Sequence, residues 1–380
     1  MATLVCPTYS SVLRIDLDAI RANYRTIAGV VEPARCGAVV KADAYGLGIE
    51  KVAPALRDAG CSEFFVAHLS EAIALFDAIG PGGTIHVLNG LEPDCEEICA
   101  TRGFVPVLNS ASQVGRWRDL ARRGGAPLPA ALQIDSGMSR LGLRFEDAAE
   151  LSADPEFAGD ITLRLLMTHL ACADAPESPV NRRQRESFLR ARALFPDVPA
   201  SVSNSGGAFL SPAFHFDLVR PGIALYGAQP SPAAAGLVPV VRLEARILQI
   251  REVGEGTGVG YGLDYVAGGD RRLATIGIGY GDGWPRNLGG AGAAWFMDRR
   301  LPIVGRISMD SLTVDISSVP AHALHEGDFV ELIGPSQPLS DVARDAGTIP
   351  YEILTRLGER HQRIYRDGAQ TEVVHPGVRR

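Results

Sequence analysis

Of the 37 basic residues in this 380-residue chain, only Lys41 and Lys51 are lysines; the rest are arginines. Lys41 sits in "GAVVKADAYGLG" (37–48), where a short apolar run meets a glycine-spaced turn. Arginine would supply the positive charge equally well. Only lysine's amine can lose its proton and attack a carbon, so the chemistry offered at this point is Schiff-base formation or proton transfer. A strand-end lysine can also simply extend into solvent. The other residues with chemical potential decide between the two.

Those residues are positioned by a regular pattern. Past the first run, "VLRIDL", eight apolar runs end near Val40, Ala67, Leu88, Leu108, Ile134, Met167, Val202 and Val219. Their spacing suits a strand, a helix and a return, and eight such units predict an α/β chain built on a (β/α)8 barrel. Just beyond the run ends stand Lys41, His68, Asn89, Asn109, Asp135, His169, Ser203-Asn204-Ser205 and Arg220. This fold assembles its sites at the C-terminal ends of its strands. A Pro/Ala/Gly-rich stretch at 228–239 reads as a linker. After it, "VVRLEARILQI", "RRLATIGIG" and "SLTVDI" alternate apolar with polar, the signature of antiparallel strands. The expected organisation is a barrel over 11–236 and a mostly antiparallel β domain over 237–372, with the tail Gly377–Arg380 loose.

The bulk properties narrow the function. A net charge of −7 and the lack of a basic stripe argue against nucleic-acid binding. No apolar run reaches a membrane span, and the N-terminus lacks the pattern of a secretory leader, so a cytoplasmic location is expected. Six scattered cysteines fit reduced, buried fillers, and Cys95 with Cys99 make no metal site by themselves, so no metal is expected. The glycines of "GEGTGVGYG" and "GIGYGDG" do not complete a dinucleotide fingerprint. P-loop, zinc-protease and nucleophile-elbow motifs are also missing.

A lysine at the barrel rim suits pyridoxal 5'-phosphate, which needs a lysine, a phosphate cradle and a partner for its pyridine nitrogen. "SNSGG" (203–207) and "RPGI" (220–223) follow the last two runs and offer the Ser205 hydroxyl and the N–H groups of Gly222 and Ile223. Arg220 could donate to the ring nitrogen. In the second half, Tyr261 and Tyr280 each stand between glycines, and "GRISMDSL" carries Arg306, Met309 and Asp310 on one turn. A tyrosine there can cover core or act as an acid/base group.

With these residues in hand, the chain resembles the alanine racemases, fold-type III pyridoxal-phosphate enzymes. "VVKADAYGLG", "DSGMSRLG", "MTHLACAD", "NSG", "VRPGIALYG", "VGYG", "GIGYGDG", "VGRISMD" and "PYE" occur in that family's order. The resemblance implies that Lys41 binds the cofactor and is one acid/base group. It implies that Tyr261, from the other subunit of a homodimer, is the second, on the opposite face of the substrate. Tyr45, Ser205, Gly222, Ile223 and Tyr351 would hold the phosphate, His169 would lie by the ring, and Arg220 would bond its nitrogen. Arg140 and Met309 would contact substrate and cofactor oxygens, while Tyr280, Asp310, Arg306 and Asp174 would line the entrance. The implied reaction is L-alanine to D-alanine and back, for peptidoglycan supply or alanine catabolism.

Three rivals are distinguishable. A racemase of broader specificity would turn over larger amino acids faster than alanine, a decarboxylase would release carbon dioxide, and a cofactor-binding protein without activity has no need of the second domain. One position departs from the family. Many members have a lysine, carbamylated, two residues before the aspartate of "DSGMSRLG"; here it is Gln133. A carbamate is therefore unavailable to orient Arg140, yet Arg140 itself is kept. Gln133→Lys should leave kcat within about tenfold of the native value; a rise of several orders of magnitude in a steady-state assay would show that the missing carbamate had been limiting.

Overall fold

The structure, a computed structural model, describes residue 6 and residues 8–374. The tail Gly377–Arg380 lies outside them. The chain divides into two units, one of residues 20–238 and one formed by the chain from Pro239 together with the N-terminal segment through Ala19.

In the first unit, Ala38–Val39, Glu63–Val66, Thr84–Val87, Val105–Leu108, Leu128–Gln133, Ile161–Met167 and Ala200–Ser201 pair in that order, all parallel. The eighth strand, Leu218–Val219, pairs with Arg35–Cys36, the lead-in to the first. There Gly37 N donates to Val219 O at 2.8 Å and Val39 N to Pro221 O at 2.9 Å. On the other edge Asp217 N reaches Ala200 O at 3.0 Å and Arg220 N reaches Ser203 O at 2.9 Å. These bonds close the barrel. Glu63–Val66 and Val105–Leu108 are buried at every position, as strands covered on both faces must be.

Helices cover the barrel between its strands, and their ends follow local chemistry. Ala111–Gly124 starts on Ser110, whose hydroxyl accepts from Gln113 N, and stops at Gly125, which takes the left-handed conformation. Pro179–Arg192 has Ser178 as its cap and proline at its first position, where a missing N–H costs nothing.

The second unit is built on a 13-residue strand, Val241–Val253. Its first half alternates buried and accessible residues. With Arg271–Ile276, Leu312–Asp315, Arg299–Val304, Ala293–Phe296 and Phe329–Ile333 it forms a closed antiparallel ring. Ser11–Asp16 differs from expectation. The sequence pattern places this strand in the barrel with the rest of 11–236. Instead it pairs antiparallel with Val241–Val253 and parallel with Gln362–Asp367. Its alternating burial suits a sheet covered on one face, and its partners lie more than two hundred residues away, where sequence pattern cannot see them.

Asn23, on helix Leu17–Val31, is fully buried and ties that helix to the end of the first unit. Its Nδ2 donates to Leu225 O (3.2 Å) and Val238 O (2.9 Å), and its Oδ1 accepts from Val238 N at 2.8 Å. Removing all three bonds strands two carbonyls and an amide. Asn23→Ala should lower stability by about 2–4 kcal/mol, read from the denaturant midpoint; a loss below about 1 kcal/mol would mean water replaces the side chain.

Candidate active site

Beyond the first barrel strand the backbone turns the wrong way for L-residues. Ala42, Asp43, Ala44 and Tyr45 have φ of 53°, 52°, 53° and 58°, a left-handed turn of four non-glycine residues. Each such residue costs roughly 1–2 kcal/mol. The turn is held by Ala44 N on Val40 O (2.9 Å), Gly48 N on Asp43 O (3.0 Å), Ile49 N on the Asp43 carboxylate (2.7 Å) and Ala42 N on the Glu71 carboxylate (2.7 Å). The Tyr45 ring stacks on Tyr226 at 4.6 Å, and Tyr226 donates to Val39 O. Lys41 opens this turn.

Four cationic or titratable groups meet at this end of the barrel. Burial, with the Arg140 charge beside it, pushes the Lys41 amine below its ordinary value, and the Glu71 carboxylate only partly opposes this. Burial and the charges of Arg220, Arg140 and Lys41 drive His169 down to about 3, so it is neutral at physiological pH. Burial lowers the Arg220 guanidinium to about 9, still protonated at neutral pH. Its partners are neutral: Ser201 Oγ and, at 2.5 Å, Thr168 O. Arg140 is exposed on a loop fixed by Asp135, whose carboxylate accepts from the N–H groups of 137, 138 and 139. Gln133 is buried on the strand below.

The loops after the last two barrel strands bring together donors that could hold an anion. Ser205 Oγ accepts from Gly222 N (2.8 Å) and Ala224 N (3.3 Å), leaving its own proton to donate. The Ile223 N–H has no partner among the described residues. Gly222 packs so closely on the Tyr45 hydroxyl that a Cβ there would collide with it. The fit requires glycine for space, not for its dihedral freedom.

The remaining candidates belong to the second unit. Tyr261 is 70 % exposed on the hairpin Gly258–Val259/Tyr265–Val266, which Arg306 anchors through an ion pair with Asp264. Tyr280 N donates to Ser308 O (3.1 Å) and Gly281 N to Met309 O (2.8 Å), so Tyr280, Met309 and Asp310 share one face. Asp310 pairs with Arg360 at 2.8 Å, which also holds the buried Asp282. Tyr351 is partly exposed on helix Pro350–Arg356. Asp174 is exposed on a barrel loop of the first unit.

Three rim candidates do other work. His68 begins helix Leu69–Ile79, where the Glu71 carboxylate takes the N–H groups of Ala67 and His68. Asn109 donates to Leu88 O and Val107 O, and Asn89 gives its carbonyl to Gln113. These residues tie strand ends to helices. Conversely, Ser201, Thr168, Tyr226 and Glu71, which orient Arg220 and the lysine turn, carried no signal beyond being polar or aromatic near strand ends. Among the described residues no cluster could hold a metal ion.

The fold and site define a barrel enzyme of amine chemistry: a buried lysine of lowered basicity, an anion cradle, and a guanidinium held by neutral partners. The profile of the alanine racemase N-terminal domain matches residues 15–230 and that of the C-terminal domain residues 240–365, so the chain belongs to the alanine racemase family. An alanine racemase of Brucella abortus is 50% identical over 368 residues, 93% of each chain. A protein of Mesorhizobium japonicum named alanine racemase, catabolic, is also 50% identical, over 94% of both. The alanine racemase of Bartonella henselae, solved with covalently bound pyridoxal phosphate, superposes with a TM-score of 0.90 at 44% identity, covering 94% of this chain and 99% of that one.

The buried histidines set a stability profile. Unfolded histidines titrate near about 6.5. Native His169 does so at about 3, and burial holds His361 of the second unit at about 4. Both pKa values are depressed on folding, so the unfolded chain binds more protons, and stability present above about pH 6.5 is lost as pH falls toward 4. His169→Gln should remove about one proton, or about 1.4 kcal/mol per pH unit, from the slope of unfolding free energy between about pH 5.5 and 4. An unchanged slope would mean that His169 is charged in the folded protein.

Proposed function

We propose that the protein interconverts L- and D-alanine with pyridoxal 5'-phosphate held at the C-terminal end of the barrel. The observation that carries this reading is Lys41, desolvated and cation-flanked, presented by a left-handed turn beside the Ser205–Gly222 cradle. The cradle suits the cofactor: a hydroxyl with a proton to donate, an N–H without a partner among the described residues and a glycine packed against the Tyr45 hydroxyl are the donors and the close approach a phosphate needs. Ser205, Gly222, Ile223, Tyr45 and Tyr351 would hold that phosphate, and Arg220 would face the pyridine nitrogen.

When bound, the cofactor withdraws electrons from the substrate and acidifies its Cα–H. The lowered basicity of Lys41 brings its amine closer to the working pH, where it can take and return a proton at Cα. Tyr261 of a second copy of the chain serves the opposite face. Two groups on two faces invert the centre without turning the substrate over. Arg220 keeps its proton at neutral pH and can therefore donate a hydrogen bond without protonating its acceptor. His169, neutral, adds no charge beside the ring. Arg140 and Met309 contact the substrate end, and Tyr280, Asp310, Arg306 and Asp174 restrict the entrance to a small side chain. The product supplies D-alanine for peptidoglycan or enters alanine catabolism.

The test uses two inactivating variants together. Lys41→Ala should lose the cofactor's visible absorption band and all racemisation; Tyr261→Phe should keep the band and lose about 10²–10⁴ in rate. Co-expressed in equal amounts, the two should recover about a quarter of native activity, because half of the dimers carry one intact site. No recovery would place both groups on one subunit, and full activity of Lys41→Ala would end the reading.

A further inference from the structure

The barrel has a cavity of about 570 Å³ at the end away from Lys41. Glu63, Thr84 and Val105, which line it, each begin a strand, whereas Lys41 and Arg220 follow strand ends. The proposed reaction uses nothing there. Catalytic sites on this fold lie at the other face, and residues at this one ordinarily serve stability. Yet the cavity is lined by more unspent polar chemistry than stability requires.

Glu63 is the hub. Its Oε2 accepts from His86 Nε2 at 2.7 Å and its Oε1 from Arg35. Burial alone would raise the Glu63 carboxyl, but the hydrogen bond and charge of His86 and the Arg35 guanidinium outweigh it and hold it below its ordinary value. Glu63 is therefore ionised and its charge is spent on Arg35. His86 is 2 % exposed and stacked on Phe65 at 4.4 Å. With Nε2 committed to Glu63, its Nδ1 is buried without any partner. Orphaned buried polar atoms are costly, about 1–3 kcal/mol each. Arg164 lines the same cavity, is exposed, and makes no ion pair or hydrogen bond among the described residues.

The cavity thus has at its mouth an uncompensated guanidinium and a second with donors beyond those given to Glu63, and in its wall a residue, His86, whose buried Nδ1 is in need of a partner. We propose that it binds a small phosphate, free or as a monoester, with Arg164 and Arg35 donating to its oxygens and His86 Nδ1 bonded to one of them. Phosphate matches the orphan nitrogen in either state of the ring. Its second pKa lies near about 6, so it presents both O–H and O⁻ around neutrality, whereas a carboxylate could only accept. The cavity exceeds what one phosphate group needs and leaves room for a short ester. The occupant contacts strand beginnings, so it stabilises the barrel and leaves the reaction at the opposite end alone.

The test titrates inorganic phosphate and, separately, glycerol 3-phosphate into cofactor-loaded protein, with chloride holding ionic strength constant. Calorimetry, melting temperature and racemisation rate are read together. The expected result is binding near about 1 mM, a Tm that rises with occupancy, and an unchanged racemisation rate. Arg164→Gln, which breaks no contact in the fold, should weaken binding at least about tenfold, and Arg35→Gln should do the same. The tighter of the two probes identifies the occupant as free phosphate or an ester. Absence of heat and Tm change with both probes up to about 50 mM, or binding that survives Arg164→Gln, overturns the proposal. Binding accompanied by inhibition would put the anion at the Lys41 end and overturn it as well.

Discussion

An excess of positive charge, only partly opposed by the Glu71 carboxylate, governs the C-terminal end of this barrel. Lys41, Arg140 and Arg220 lie close enough to perturb one another or the histidine between them, and Arg220 is fully enclosed with only a hydroxyl and a carbonyl for company. Burying a guanidinium with no carboxylate is expensive. An active site can carry such a deficit when an anion belongs there. A phosphate, a carboxylate and an electron-rich ring nitrogen would each relieve part of it, and the Ser205 hydroxyl, Arg140 and Arg220 are the donors available to them. The same charge contributes to two titrations. With burial as the larger cause, it keeps His169 from protonating and lowers the cost of removing a proton from Lys41.

That electrostatic arrangement is delivered by backbone under strain. A right-handed continuation after Val40 would carry the following residues along a different path. The left-handed turn folds Tyr45 back against Gly222 and Tyr226. Several kcal/mol of unfavourable dihedrals are offset locally by the Asp43 and Glu71 carboxylates, which take backbone N–H groups at both ends of the turn, and by a buried stack of two tyrosines. Strained residues of this kind persist where packing over-determines them, and they cluster at functional sites. The Asp43 and Glu71 carboxylates and the Tyr45–Tyr226 stack therefore fix the path on which Lys41 is presented.

The barrel was legible for a physical reason. Parallel strands buried on both faces read as uninterrupted apolar runs, so the ends expected near Val40, Leu108, Met167 and Val219 fall within a residue of those observed. Ser11–Asp16 was misplaced because an isolated apolar run carries no information about its partner, and here the partners are Val241–Ala245 and Gln362–Arg366. The left-handed turn was invisible because alanine, aspartate and tyrosine ordinarily form right-handed structure. Polar residues at strand ends were ambiguous for the opposite reason. His68 and Asn109 are types that serve a catalytic rim or a helix junction equally well, and only the hydrogen bonds of Glu71 and Asn109 separate the two uses.

The hairpin bearing Tyr261 links the site to assembly. It is a two-stranded ribbon of two residues a side, with Tyr261 70 %, Leu263 61 % and Val266 58 % exposed. A ribbon this short is not stable by itself, and three large apolar side chains together on it invite cover. Within its own unit it has the Arg306–Asp264 ion pair and the close approach of Gly305 to Val259 O, which fix its base and leave its tip bare. Burying that tip against a second copy would order the tyrosine and remove apolar surface from water in one step. Catalysis and dimer formation would then depend on the same few residues. A tyrosine on an unordered tip would make a poor acid, since proton transfer requires heavy atoms held within hydrogen-bond distance. If the hairpin docks on a second copy in the proposed way, dissociating that dimer should abolish turnover without unfolding either unit, because each barrel would keep Lys41 and lose the tyrosine proposed for the opposite face.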